Sequence, residues 1–279
     1  MCLTPINLKN PSWVVTDKYL VDSSFTVPCG HCEECQKDIA NEWAYRCVDE
    51  LKAHSENCFV TFTYEETDRS LHKKDIQDFL KRLRRRIEPI TVRYFGCGEY
   101  GKRGGRPHFH LILFGWKPTD LEFFFTDKDG TVNYRSQFLY NVWRGGRDVE
   151  RLRGFILVSD ASFDTAKYSA LYMQKFQRLS KDVEPPFRIM SRKPGIGYYN
   201  IDREQILNTD KVYYKGKYKK TPRYYLKVME REGIDLTELK ERRKITAQIC
   251  AKNLDEIKHK LKNQKNFTGP LDEYDYYDI

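Results

Sequence analysis

The sequence predicts an α+β fold: a central antiparallel sheet carrying a His-x-His pair as a candidate metal site, flanked by helices and followed by a helical C-terminal extension. Three observations predict it. Short β-rich runs recur at CFVTFTYEE, TVRYFGCGEY and RPHFHLILFG, rich in the aromatic and β-branched residues that suit a pleated surface. Around them lie KDIANEWAYRCVDELKAH and SLHKKDIQDFLKRLRRRIEP, whose apolar residues recur at helical spacing. The last long stretch, LTELKERRKITAQICAKNLDEIKHKLKN, reads as helix. Three regions follow: 1–57, a cysteine cluster and an amphipathic helix; 58–200, the sheet-bearing core; and 201–279, a basic tyrosine-rich hairpin with the helical extension.

With 279 residues, 40% of them hydrophobic, the chain can bury one substantial core and a small appendage. Lys and Arg outnumber Asp and Glu by 49 to 40, and the net charge of +9 favours a polyanionic partner. The 19 Tyr and 16 Phe among these cations suit stacking on unpaired bases as well as core packing. No apolar run is long enough for a membrane span, and MCLTPINLKNPSW lacks the basic-then-apolar order of a signal peptide. The expectation is a cytoplasmic protein with no membrane partner. Its eight cysteines then stay reduced, as metal ligands or buried thiols.

In chain order, PCGHCEEC places Cys29, Cys32 and Cys35 at Cys-x-x-Cys spacing around His31. A turn leading into a helix can offer such thiolates to one soft ion, and a structural zinc needs four ligands. Cys47 and His31 are the candidates for the fourth. The following segment carries Ile39, Trp43, Cys47 and Leu51 on one helical stripe. After the first β-rich run, Ile76, Phe79, Leu80, Leu83 and Ile87 form a second stripe, Lys81, Arg82, Arg84, Arg85 and Arg86 fill the rest of that helix, and Pro89 stops it.

Two β-rich runs then flank GKRGGR, which reads as the turn of an antiparallel hairpin. Centring that turn between Arg103 and Gly104 sets Glu99 opposite His108 and Cys97 opposite His110. Strand residues two apart share a face, so two imidazoles and a carboxylate converge. Such a facial three-ligand set suits Mg²⁺ or Mn²⁺ acting on a phosphate. Downstream, SDASFDTAKYSALYMQKFQRL opens with N-cap candidates Ser159, Asp160, Ser162 and Asp164 and continues as a helix. On it Tyr168, Tyr172 and Lys175 share a side, presenting two phenols and an ammonium to one phosphate. PGIGYYN reads as a turn. KVYYKGKYKKTPRYYLK mixes seven basic residues with five Tyr over 17 positions, and Gly216 makes a turn between its two strand-like runs. Such a ribbon suits single-stranded DNA or plain solvent exposure. The acidic end DEYDYYDI reads as disordered.

RPHFH resembles the His-hydrophobic-His motif of HUH endonucleases, FVTFTY looks like the strand motif preceding it in rolling-circle replication initiators, and YMQK is similar to their Tyr-x-x-Lys motif. With PCGHCEEC, GEYGKRGGRPHFH and MSRKPGIGYY in this order, residues 28–200 are similar to replication initiators of microviruses, particularly the gokushovirus branch. The resemblance implies that 58–200 is an HUH catalytic core and that His108, His110 and Glu99 hold the divalent ion. It implies further that Tyr172 attacks the scissile DNA phosphate to form a 5′-phosphotyrosine link, with Tyr168 as its partner and Lys175 stabilising charge. The implied partners are single-stranded DNA at a viral origin and host replication proteins, in the cytoplasm of a bacterial host. Plasmid-type initiators and Y2 transposases share this chemistry. A non-catalytic, zinc-stapled single-strand binder is the alternative of another class.

Overall fold

Runs of aromatic and β-branched residues, buried on alternating faces, build the centre of the structure, a computed structural model that describes residues 2, 4–9, 24–65, 70–101, 105–144, 153–172 and 183–246. The chain divides into two units, Met1–Ile201 and Asp202–Ile279. In the first, β1 (Ile6–Lys9) and β2 (Ser24–Val27) pair as a small antiparallel ribbon. Then come α1 (Glu33–Lys52), β3 (Asn57–Tyr64), α2 (Lys73–Arg86), β4 (Arg93–Tyr100) and β5 (Pro107–Phe114). They are followed by β6 (Leu121–Thr126), β7 (Val132–Ser136), α3 (Gln137–Arg144), β8 (Arg153–Ser159), α4 (Phe163–Tyr172) and β9 (Phe187–Met190). Seven of these strands form one sheet in the order β6-β7-β8-β3-β5-β4-β9, with every neighbour antiparallel.

Alternation splits the sheet into two faces. On one, Val60, Phe62, Tyr64, Phe109, Leu111, Leu113, Ile156 and Val158 pack against Phe79 and Leu83 of α2 and Leu139, Val142 and Trp143 of α3. Part of the basic surface of α2 serves this packing. Arg82 donates from Nε to the Val142 carbonyl at 2.8 Å and from Nη2 to that of Trp143 at 3.2 Å, satisfying carbonyls in the last turn of α3. On the other face, Phe59, Phe95, Ile112 and Phe114 meet α1 and α4. There the helices present small side chains, Ala40, Ala44 and Cys47 from α1 and Ala166 and Ala170 from α4, so their axes approach closely. The start of α4 is held by a reciprocal cap: Thr165 N–H donates to Ser162 Oγ at 3.2 Å and Ser162 N–H to Thr165 Oγ1 at 2.8 Å.

The PGIG segment is a buried tie. Fully buried Glu50 of α1 bonds Arg93 Nε of β4 through Oε1 and accepts the Gly197 N–H at 2.7 Å through Oε2. Arg93 also donates to the carbonyls of Pro194 and Gly195, at 2.9 and 3.3 Å, while Arg46 reaches that of Ile196 at 3.1 Å. Helix, strand and loop share one ionic node.

The second unit contains α5 (Arg203–Thr209), β10 (Lys211–Tyr214), β11 (Lys217–Lys220), α6 (Arg223–Arg231) and α7 (237–246). The expected turn is present at Gly216, where Lys215 and Gly216 have φ of 44° and 76°, the left-handed pair that joins twisted strands. Tyr213 and Tyr218 face each other across the ribbon, more than half exposed. Bidentate pairs, Arg203 with Glu232 and Arg243 with Asp210, tie α5 to the end of α6 and to α7. The rest of the expected C-terminal helix and the acidic end lie outside the described residues. No helix among the described residues is long and apolar enough to cross a membrane.

Replacing Arg93 by Met keeps an apolar stem but leaves the buried Glu50 carboxylate without its cation. The expected cost is about 3–5 kcal/mol of unfolding free energy, measured by urea denaturation. A loss below about 1 kcal/mol would show that the node is not what joins α1 to the sheet.

Candidate active site

Hydrogen bonding of β4 to β5 pairs Glu99 with His108 and Cys97 with His110, the register that a turn centred between Arg103 and Gly104 sets. The turn residues 102–104 themselves lie outside the described residues. On its other side β5 pairs with β3, placing Thr61 opposite His110 and Thr63 opposite His108. By parity all six side chains belong to the face that α1 and α4 cover, beyond the apolar half formed by Phe59, Phe95, Ile112 and Phe114. That face is thus apolar at one end of the strands and polar at the other.

The hydrogen bonds assign protons. His110 Nε2 lies 2.8 Å from Glu99 Oε1, and since a carboxylate accepts, Nε2 donates. Its Nδ1 is 3.1 Å from the Thr61 hydroxyl, which donates to it. His108 Nδ1 lies 2.6 Å from the Arg106 carbonyl, which can only accept, so the lone pair of the neutral ring resides on Nε2. Burial lowers the His108 pKa against the pull of that carbonyl, favouring the neutral form. Glu99 is 4% exposed, and its second oxygen, Oε2, is buried without a hydrogen-bond partner. An orphaned carboxylate oxygen beside an imidazole lone pair is a donor set short of a cation, so His108, His110 and Glu99 fit a divalent ion. Gly101 makes room for this arrangement: a Cβ there would come within 3.0 Å of His108 Cε1.

Aromatic and cationic groups line the same region. The His110 ring stacks on Phe59 at 5.6 Å and meets Tyr168 of α4 edge-on, at a centroid distance of 5.3 Å. Tyr168 is 41% exposed, so one side of its ring contacts the histidine while the residue keeps solvent access. Tyr172 ends α4 with its side chain outside the described residues, and Lys175 lies outside them altogether. Arg188 of β9 pairs with Cys97 on this face and stacks over Trp43 at 4.7 Å, and burial lowers its pKa. Sequence reasoning missed it because only the β4–β9 pairing brings it here. Further along the face, Phe155 of β8 is 68% exposed next to Thr63, whose hydroxyl donates to the Phe155 carbonyl at 3.1 Å. Tyr134 pairs with Val158 of the opposite face, so its neighbour Arg135 turns to the site face, where its guanidinium lies 3.5 Å over exposed Phe124.

The cysteine cluster forms with a different fourth member. The sulfurs of Cys2, Cys29, Cys32 and Cys35 all lie within 4.8 Å of one another. Cys47 is fully buried among the apolar residues between α1 and α4, and burial raises its pKa. The reason is helical geometry: Cys35 and Cys47 both lie on α1, and twelve residues of helix span about 18 Å. His31 is exposed and outside the group. Cys2, a lone cysteine near the start of the chain, carried no spacing signal; elimination of cysteines on apolar stripes was the clue available. The Thr4 hydroxyl and the backbone N–H groups of Cys32 and His31 hold the Cys29 thiol down at about 5, while burial pushes Cys35 up to about 12.

The family model for replication-associated proteins of the ORF2 type matches residues 57–177, a span running from β3 through α4. Replication-associated protein ORF2 of Spiroplasma virus 4 is 30% identical over 82% of this chain and 76% of its own length. Replication-associated protein ORF4 of Chlamydia phage 1 is 30% identical over 72% of this chain, which spans about half, 53%, of that relative. Replication-associated protein VP4 of Bdellovibrio phage phiMH2K is 29% identical over 73% of this chain and 67% of its own length. No solved structure matches the chain.

Mn²⁺ titration, followed by calorimetry or the loss of the free-ion EPR signal, tests the donor set. Glu99→Gln keeps the shape but removes the charge and should weaken binding by at least about 10-fold. Cys97→Ala, one pair along on the same face, should leave the affinity unchanged. Equal loss in both variants would place the ion elsewhere.

Proposed function

This chain belongs to the family of microvirus replication-associated proteins, and from that premise we propose that it is a rolling-circle replication initiator that nicks and rejoins single-stranded DNA at the viral origin. The observation carrying this reading is the meeting of His108, His110 and Glu99 on one sheet face with the Tyr168 ring packed against His110. His108, His110 and Glu99 would hold a Mg²⁺ or Mn²⁺ ion, whose contribution is to polarise the scissile phosphate. A phenolic oxygen of the α4 pair attacks phosphorus as the P–O3′ bond breaks. The leaving oxygen takes up a proton to become a 3′-hydroxyl, and the 5′ end remains as a tyrosine phosphodiester. One phosphodiester replaces another, so a later 3′-hydroxyl can reverse the step and seal the strand. Tyr172 is the first nucleophile in this scheme, Tyr168 its partner one turn along the helix, and Lys175 the cation for the developing charge.

The rest of the site face supports a single-stranded substrate. Phe155 and Phe124 expose aromatic faces on the side of the sheet that carries the histidines, with Arg135 stacked on Phe124. Exposed rings interleaved with cations hold successive bases and phosphates without demanding a sequence. The basic ribbon of the second unit, with Tyr213 against Tyr218, has the same chemistry.

Incubation with a labelled single-stranded origin oligonucleotide and Mn²⁺ tests the reading. The chain should leave DNA covalently attached. Tyr172→Phe should suppress the adduct strongly, Tyr168→Phe should spare more first cleavage but block circular product, and the double variant should form none, since each change deletes only an oxygen. An adduct persisting in the double variant would falsify the placement of the nucleophiles on α4. No adduct in the unsubstituted chain would leave a non-catalytic binder.

Phe155→Ala should weaken single-strand binding by about 1–3 kcal/mol, the worth of one stacked base, in fluorescence anisotropy. Thermal stability should hardly change, because the ring is mostly exposed. Unchanged affinity would take the substrate path off β8.

A further inference from the structure

The four thiols at the start of α1 take no part in the phosphoryl chemistry above. We propose that Cys2, Cys29, Cys32 and Cys35 bind one structural Zn²⁺, with Cys2 closing the ligand set and fastening the N-terminal ribbon to the first turn of α1. The spacing fits a single ion. Zinc bonded to four sulfurs at about 2.3 Å holds them about 3.8 Å apart in a tetrahedron, and here Cys32 Sγ and Cys2 Sγ are 3.8 Å apart with all four sulfurs within 4.8 Å. Four sulfurs this close suit one metal rather than a cluster in which each binds its own iron.

The surroundings are built for thiolate charge. Cys29 Sγ accepts the N–H groups of Cys32 and His31, at 3.2 and 3.4 Å, and the Thr4 hydroxyl at 3.3 Å. Cys2 Sγ accepts the Cys29 N–H at 3.2 Å across 27 positions of sequence. Gly30, at φ 76°, lets the chain turn so that these N–H groups point at sulfur. Cys32 caps a twenty-residue helix without any side-chain cap bond, and Cys35 lies in its first turn, so the positive end of the helix faces the group. Two segments far apart in the chain meet here through groups that share one chemical preference, a soft divalent cation.

The ion would act on α1. That helix packs its Ala40, Ala44 and Cys47 against α4 and carries Glu50 near its other end. Zinc at the first turn and the Glu50–Arg93 node at the last would secure α1 at both ends, and with it the bed on which α4 lies.

The test uses the full chain, purified without chelator. Elemental analysis should give one zinc per chain, and Cys2→Ser and Cys32→Ser should each lose most of it, whereas Cys47→Ala and His31→Ala should keep it. Replacement with Co²⁺ should give the visible absorption of a tetrahedral tetrathiolate. Because a ligand variant can fail to fold, the unsubstituted protein supplies a second measurement: chelation should expose cysteines 2, 29, 32 and 35 together to alkylation, mapped by mass spectrometry, and leave 47, 58 and 97 protected. Wild-type zinc content in Cys2→Ser would overturn the proposal. So would iron with acid-labile sulfide, a disulfide within the group, or four thiols that react freely without chelation.

Discussion

The register of β4 on β5 is the constraint on which the rest of the first unit depends. Both faces of these strands are covered over much of their length, so a slip of one residue would drive Phe109, Leu111 and Leu113 out of one core and His110 into it. The strands also meet at close quarters. A Cβ on Gly96 would come within 2.2 Å of the His110 carbonyl oxygen, so only glycine allows this approach beside the functional pair. Burial of apolar side chains on two faces therefore decides, as a by-product, that Glu99 and both histidines face the same way.

A face that is apolar at one end and polar at the other needs a cover that stops at the right place. Small residues on α1 and α4 let the two helices lie close together over Phe95, Ile112 and Phe114, and α4 thereby brings Tyr168 to the edge of His110. The helices are held by different means, α1 through the buried ionic node with Arg93 and the PGIG loop, α4 through its reciprocal Ser162–Thr165 cap. Removing Glu50 from water is costly, and the arrangement recovers that cost because Arg93, Gly197 and His54 surround its oxygens. The approach of a phenol to an imidazole thus rests on helix packing and charge burial some distance from either group.

The charge excess divides between structural and exposed uses. Arg82 caps α3, Arg46 and Arg93 hold the PGIG carbonyls, and Arg203 and Arg243 form bidentate pairs in the second unit. Net charge read from composition counts all of these alike. The cations with an aromatic surface beside them, Arg135 on Phe124 and the lysines of the β10–β11 ribbon, are the ones placed to meet a nucleic acid.

Local pattern alone determined the main strands and helices of the core, the β4–β5 register with Glu99 opposite His108, and the turn at Gly216, because each depends on residues within one hairpin or one helix, where periods of 2 and 3.6 fix direction. Strands β6 and β7 carry mostly exposed aromatics with a bulge in their pairing, and the PGIG loop has the composition of any turn, so neither announced its role. Only tertiary structure decided that Cys2 joins the cysteine cluster while Cys47 does not, that Arg188 reaches the site face, and that Tyr168 rests on His110. Those meetings join residues tens of positions apart, and their distances are set by how helices pack on a twisted sheet, information that resides in the whole set of buried contacts and in no single stretch of sequence.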